Sequence, residues 1–232
     1  MSGRNETTHL ILLDIDGTLV DSQDFIVEAQ RRAFAANGLP TPERERALSV
    51  VGLSLLEAFT ALAGKDAPVE NLAQAYRTAW HEMRNDPAFL DPFFEGALDF
   101  VRTLIARGDV RLGIATGKAR RGVVHLMDRT GWHDHFVTIQ TADDHPSKPA
   151  PDMILKAMEE TGTSPRHTIM IGDTSYDMAM AKAAGVHAIG VAWGYHQREA
   201  LLKAGAELVV DDFAHLTRAI ADLLADAPAP AA

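Results

Sequence analysis

The chain has 232 residues, of which 47% are hydrophobic, and a formal net charge of -10 at pH 7. This length predicts one large domain or one and a half, and the apolar fraction is sufficient for a buried core. The sequence has no cysteine, which excludes a disulfide scaffold, a thiolate nucleophile and a Cys-ligated metal site. The same absence suits a reducing compartment, so we expect a cytoplasmic protein. The negative charge argues against nonspecific binding to nucleic acid.

The composition of the two terminal segments and of the apolar runs leads to three expectations. Residues 1–8 are polar without an apolar centre, so we expect no signal peptide. No apolar run is long enough to span a bilayer, and we expect no membrane partner. The Ala- and Pro-rich segment 226–232 predicts a disordered tail.

The pattern of predicted secondary structure changes at two places in the sequence. The aliphatic run from His9 to Leu13 does not alternate with polar residues, which predicts a strand buried on both faces. Residues 21–93 then contain four helical patterns with cap, Pro or Gly boundaries and no strand signal. From Glu95 onward, strands alternate with single helices, which predicts a parallel sheet with right-handed crossovers. We therefore expect a core from residues 1–20 and 94–232, and a helical insertion at 21–93, with hinges near 20–23 and 90–95.

Two carboxylates follow the first strand directly. Asp14 and Asp16 are two residues apart, so in an extended chain their side chains leave on the same side. At a 4 Å separation they repel by about 1 kcal/mol in water and about 4 kcal/mol at an effective dielectric constant of 20. A bound cation, or a proton-transfer role for one of the carboxylates, would offset this repulsion.

Polar side chains also follow the later strands. Thr116 ends the second predicted strand, Lys148 follows the third, and Asp173 and Asp177 follow the fourth. In open parallel sheets the ligand binds beyond the carboxyl ends of the strands, so these groups are expected to meet at one edge. Four converging acids would be costly without a divalent ion and a lysine among them.

The run from Asp14 to Ser22 resembles the first motif of the haloacid dehalogenase-like hydrolases. Thr116, Lys148, and Asp173 with Asp177 resemble the second, third and fourth motifs. The resemblance implies an α/β fold with a Rossmann-like parallel sheet core and an inserted all-helical cap domain. It also implies that Asp14 is the nucleophile and Asp16 the general acid/base. The phosphate-binding groups would be Thr116, Gly117 and Lys148. The Mg²⁺ ligands would be Asp14, Asp173, Asp177 and the backbone carbonyl of Asp16.

The implied reaction is Mg²⁺-dependent hydrolysis of a small phosphate monoester through an aspartyl-phosphate. The acid at Asp16 favours phosphoryl transfer, because the dehalogenases and phosphonate hydrolases of the family lack it. Within the phosphatases, the chain is most similar to phosphoglycolate phosphatase-like enzymes, and residues 51–54 resemble their substrate loop. Two alternatives stay open, a phosphosugar mutase and a non-catalytic protein that binds phosphate or a partner. The expected partner is a small phosphorylated metabolite, and the oligomeric state is not predicted.

Several residues have competing interpretations. Asp177 either stabilises the start of a helix together with Thr174, or contributes to a metal site through water, or holds Lys148. Lys118 is either a loop charge or a neighbour of the phosphate. We expect the segment 193–195 to serve packing rather than substrate contact.

Overall fold

A six-stranded parallel sheet forms the centre of the protein in a computed structural model that describes residues 8–84, 86, 89 and 91–226. The strand order is β3-β2-β1-β4-β5-β6. The strands are β1 (His9–Leu13), β2 (Val110–Thr116), β3 (Phe136–Thr141), β4 (Thr168–Gly172), β5 (His187–Val191) and β6 (Leu208–Val210). The helices are α1 (Gln23–Ala36), α2 (Arg44–Leu48), α3 (Leu55–Ala63), α4 (Val69–Met83), α5 (Ala97–Ile105), α6 (Arg120–Thr130), α7 (Asp152–Thr161), α8 (Ser175–Ala184), α9 (Arg198–Ala204) and α10 (Phe213–Asp226).

Strand β1 lies in the middle of the sheet and is covered on both faces. Ile11 and Leu13 pack against α5, α6 and α10, whereas Leu10 and Leu12 pack against α7, α8 and α9. Because successive side chains of a strand point to opposite faces, burial on both sides requires an unbroken apolar run. The predicted doubly covered strand is confirmed.

Helices α1 to α4 are inserted between β1 and β2. Helices α1, α3 and α4 share an apolar cluster around Phe34, Phe59 and Leu72, and α1 and α4 share a second one around Phe25 and Trp80. Such clusters explain the helical spacing of apolar residues, since each helix buries one face against its neighbours. The predicted fold class, a Rossmann-like parallel sheet with an inserted helical cap, is therefore confirmed, while the exact domain boundaries stay a prediction.

Two chain segments join the cap to the core. The Asp21 amide donates to the Pro92 carbonyl at 2.8 Å, and the Phe94 amide donates to the Leu19 carbonyl at 3.1 Å. The outgoing and returning chains thus run side by side at the predicted hinge positions.

The sequence predicts a capping box that begins at Ser54 and a cap of α1 by Asp21 or Ser22. The first prediction is wrong, because the Ser54 side chain does not cap α3. At α1 the Ser22 side chain makes no cap, whereas the Asp21 carboxylate accepts from the Gln23 amide at 3.4 Å. The hydroxyl of Ser22 donates to the carboxylate of Asp16 instead. Within the described ranges, no helix is long and apolar enough to cross a membrane. The predicted disordered tail lies outside the described residues, apart from Asp226, the last residue of α10.

Candidate active site

The backbone holds Asp14 at the carboxyl end of β1. Its amide donates to the Ile171 carbonyl at 3.0 Å and so extends the pairing between β1 and β4. The following turn depends on Gly17, which has a φ of 85°. A β-carbon at Gly17 would lie 2.2 Å from a carboxylate oxygen of Asp173. Glycine is therefore required here both for the backbone conformation and for the close approach of Asp173.

Lys148 lies between two of the acids. Its Nζ is 3.0 Å from Oδ1 of Asp14 and 2.6 Å from Oδ1 of Asp177. All three side chains are buried. A buried ion pair is stable only when its charges are balanced and hydrogen-bonded. One lysine thus ties the end of β1 to the start of α8.

The acids carry more negative charge than Lys148 can neutralise. Burial is the largest cause that raises the pKa of Asp14, to about 6, while Lys148 and the Thr116 hydroxyl lower it. Burial, followed by the charges of Asp14 and Asp177, raises the pKa of Asp173 well above its usual value. Burial by itself lowers the pKa of Lys148, but Asp14 and Asp177 outweigh it and raise that pKa overall. The ammonium therefore stays charged.

Asp173 is held by donors from two distant loops. The Thr18 hydroxyl donates to Oδ1 at 3.1 Å, and the Tyr195 amide donates to Oδ2 at 2.8 Å. A β-carbon at Gly194 would lie 2.1 Å from the β-carbon of Asp173, so the Tyr195 loop reaches the carboxylate because it contains glycine. The indole of Trp193 donates to the Thr18 carbonyl at 3.0 Å. Besides packing, the segment 193–195 therefore orients Asp173.

The structure shows two of the three roles considered for Asp177, and its role at a metal site stays a prediction. Its Oδ2 accepts from the Thr174 amide at 3.1 Å and from the Thr174 hydroxyl at 2.6 Å, which completes a capping box at the start of α8. Its Oδ1 accepts from Lys148. The same carboxylate thus begins a helix and positions the lysine.

Asp16 is paired with a lysine of its own. Its Oδ1 lies 2.7 Å from Nζ of Lys118 and also accepts from the Ser22 hydroxyl. Lys118 follows Thr116 and Gly117 at the end of β2, and its amide donates to the Thr116 hydroxyl at 3.2 Å. The structure therefore brings Lys118 into the site next to Asp16.

The cap closes over this sheet edge. A β-carbon at Gly117 would lie 2.4 Å from the Gly52 carbonyl oxygen. The Ser54 amide donates to the hydroxyl of Ser147, the residue before Lys148, at 2.8 Å. These contacts place the segment 51–54 against the loops that carry Gly117 and Lys148.

A cavity of about 90 Å³ lies between cap and core. Asp14, Asp16, Thr116 and Lys118 line its core side, and the cap contributes mostly apolar side chains. Drug-sized ligands occupy pockets of roughly 300–1,000 Å³. The closed cavity therefore admits a group of only a few heavy atoms next to the carboxylates.

The acid cluster fits a hard divalent cation. Carboxylate oxygens of Asp14, Asp173 and Asp177 lie within 4.8 Å of one another. Oxygen ligands with few protein contacts and retained waters are typical of Mg²⁺ sites. A cation there would supply the positive charge that Lys148 alone does not provide.

The predicted site residues meet at one sheet edge. Asp14, Thr116, Lys148, Asp173 and Asp177 are buried there, and Asp16 and Gly117 line the cavity beside them. Their chemical roles stay predictions. Sequence reasoning missed Thr18 and Tyr195 as supports of Asp173 and left Lys118 open. The only sequence signal for Lys118 was its place two residues after a strand end.

Comparisons with known proteins agree with this geometry. Residues 11–191 match the family described as "Haloacid dehalogenase-like hydrolase". The chain is 34% identical to "Probable phosphatase IndB" from Dickeya dadantii, over 93% of this chain and 94% of the relative. It is 33% identical to "Pyrophosphatase PpaX" from Bacillus pumilus, over 86% and 90% of the two chains. It is 30% identical to "Phosphoglycolate phosphatase" from Pseudomonas putida, over 92% and 80%. The chain therefore belongs to the haloacid dehalogenase-like hydrolase family.

Proposed function

We propose that the protein is a Mg²⁺-dependent phosphatase that hydrolyses a small phosphate monoester through a phosphoaspartate at Asp14. The observation that carries this proposal is the position of Asp14. Its carboxylate lines the cavity beneath the cap, next to Thr116 and beside the buried Lys148. A nucleophile, cationic and hydroxyl donors, and an acid cluster that fits a divalent ion are thus combined at one point.

Asp14 is suited to attack phosphorus because its position is fixed and because Lys148 and the Thr116 hydroxyl oppose the rise in its pKa that burial causes. The backbone bond to Ile171 and the ion pair with Lys148 fix its position. Thr116, the amide of Gly117 and Lys148 would bind the transferring oxygens. A bound Mg²⁺, held by Asp14, Asp173 and the Asp16 carbonyl, with Asp177 nearby, would supply further positive charge to the phosphoryl group.

Asp16 has to act first as an acid and then as a base. In the first half of the reaction it would donate a proton to the leaving oxygen, and in the second half it would take a proton from the attacking water. Its Oδ1 lies 2.7 Å from Nζ of Lys118, so the lysine holds the carboxylate at the cavity that Asp14 also lines.

The names of the relatives point to more than one substrate. One is called a pyrophosphatase and another a phosphoglycolate phosphatase. Because function on a shared fold depends on local contacts, we treat phosphoglycolate and pyrophosphate as two members of a substrate screen. The small cavity favours a small phosphorylated metabolite.

The proposal is tested by phosphate release from a panel of small phosphoesters, with Mg²⁺ and then with a chelator. Asp14→Asn should reduce the rate by at least about a thousandfold, as expected for loss of a nucleophile. Asp99→Asn, at an exposed position of α5, is the matched control and should retain full activity. Mass spectrometry of the acid-quenched enzyme should detect phosphate on Asp14 during turnover.

Full Mg²⁺-dependent activity of Asp14→Asn would contradict the proposal. Isomerised sugar phosphate without free phosphate would indicate the mutase alternative. Phosphate binding without turnover of any panel member would indicate a non-catalytic protein.

A further inference from the structure

Gln30 is a polar side chain in the otherwise mostly apolar cap wall of the cavity. It projects from α1 and is 4% exposed, among Ile26, Val50 and Phe59. Buried amide groups normally satisfy both their donors and their acceptor. A glutamine at this position therefore needs an explanation beyond packing.

The orientation of the amide leaves its oxygen free. Nε2 of Gln30 donates to the Ala47 carbonyl at 3.2 Å, which fixes the nitrogen on that side, because a carbonyl cannot accept from the amide oxygen. Oε1 is buried and has no hydrogen-bond partner among the residues that the structure describes. Gln30 thus brings an acceptor without a partner to the wall of the cavity, and the hydrogen bond to Ala47 holds its amide in place.

The other polar groups around the cavity do not satisfy Oε1. The ammonium of Lys118 is 2.7 Å from Asp16. Arg121 donates to the Arg77 carbonyl at 3.2 Å, and its guanidinium stacks over Trp80. Lys118 and Arg121 are therefore paired with other groups of the protein. Oε1 of Gln30 stays available to accept a hydrogen bond from a ligand.

We propose that Gln30 is a specificity residue whose Oε1 accepts a hydrogen bond from a hydroxyl of the leaving group. This inference rests on the proposed phosphatase function and names its substrate class as hydroxylated, polyol-type phosphate monoesters. A leaving group that ends in a carboxylate would set two acceptors against each other at this wall. Phosphoglycolate should therefore be a poorer substrate than a hydroxylated ester of similar size.

The test uses two pairs of synthetic substrates that differ only by OH in place of CH₃. One pair is 2-hydroxyethyl and n-propyl phosphate, and the other is 3-hydroxypropyl and n-butyl phosphate. With Mg²⁺, kcat/KM of the wild type should favour the hydroxylated member of at least one pair by roughly tenfold, the effect of one hydrogen bond. In Gln30→Met, which keeps the side-chain length and removes the acceptor, this ratio should fall to about one. Gln74→Met, at an exposed position of α4, should keep the wild-type ratio.

The ratio separates specificity from structural damage. Loss of the bond to Ala47 could lower kcat/KM for all four esters, but it would leave the ratio unchanged. An unchanged ratio in Gln30→Met, or a wild type that releases phosphate without any preference for hydroxyl, overturns the inference alone. If Gln30→Met does not fold, the wild-type ratio and the comparison with phosphoglycolate decide the question. Absence of phosphate release from every ester overturns the proposed phosphatase function and this inference together.

Discussion

Replacement of Lys148 by methionine tests the electrostatic basis of the site. Methionine has a similar length but no charge, so the change removes the ammonium while it retains most of the volume. At an effective dielectric constant of 20, each contact of Nζ, at 3.0 Å with Asp14 and 2.6 Å with Asp177, corresponds to about 6 kcal/mol of attraction. The variant also avoids the free-energy cost of removing the lysine ammonium from water. This saving offsets much of the attraction that is lost with the two contacts. We therefore expect the free energy of unfolding to fall by about 3–5 kcal/mol at pH 7.5 without metal.

Urea unfolding of the metal-free protein, followed by circular dichroism, measures this loss. Mg²⁺ should restore more stability to Lys148→Met than to the wild type, because Lys148 is the one cation paired with Asp14 and Asp177 among the residues that the structure describes. Asp177→Asn in the same chain removes one of the repelling charges and should recover about 1–3 kcal/mol. Lys156→Met, which loses only an exposed pair with Glu159, is the control and should change the stability by less than about 0.5 kcal/mol.

Equal urea midpoints for Lys148→Met and the wild type, both free of metal, would refute the reasoning. So would a loss of stability that neither Mg²⁺ nor Asp177→Asn reduces, because cavity formation rather than uncompensated charge would then explain it. The total stability of a domain is about 5–15 kcal/mol. A variant too unstable for metal-free measurement is therefore compared with its Asp177→Asn double variant in Mg²⁺.

Two further predictions concern the closed cap and the hinge. In Gly117→Ala the new β-carbon clashes with the Gly52 carbonyl, so kcat/KM should fall by about 10–100-fold because the cap closes incompletely. The control is Gly108→Ala, whose new β-carbon has no neighbour within 4 Å and which should keep wild-type activity. Equal kinetics of the two variants would contradict the closed geometry. Burial, which is partly opposed by Lys118, raises the pKa of Asp91 to about 6 from 3.8. Because the folded state then binds the proton more tightly than the unfolded state, the ionisation of Asp91 reduces stability as the pH rises from about 4 to about 6. Asp91→Asn should therefore stabilise the protein by about 1–2 kcal/mol at pH 8 and by much less at pH 4, and urea unfolding that shows the same difference at both values would contradict this assignment.

The local patterns of the sequence were sufficient for the architecture. The apolar runs at 110–116, 136–141, 168–172 and 208–210 predict strands, because apolar runs between glycines and polar residues mark buried strands. Strands β2, β3, β4 and β6 have these bounds. The rule that ligands bind beyond the carboxyl ends of parallel strands then placed Asp14, Thr116 and Asp173 together. Capping was predicted less well. Both Thr174 and Ser54 precede helices, yet only Thr174 caps its helix through its side chain.

Hydrogen-bond partners were decided by the tertiary structure. Lys118 and Asp16 are 102 positions apart, and the Tyr195 amide reaches Asp173 across 22 positions. Gln30 has an acceptor without a partner at the cavity wall because Ala47, on the next helix, accepts from its nitrogen. Periodicity and spacing record which face of an element is buried and where it begins, since those depend on neighbours within a turn or two. The packing of whole helices and strands decides which polar atoms of different elements lie within hydrogen-bond distance. No local pattern in the sequence records that packing.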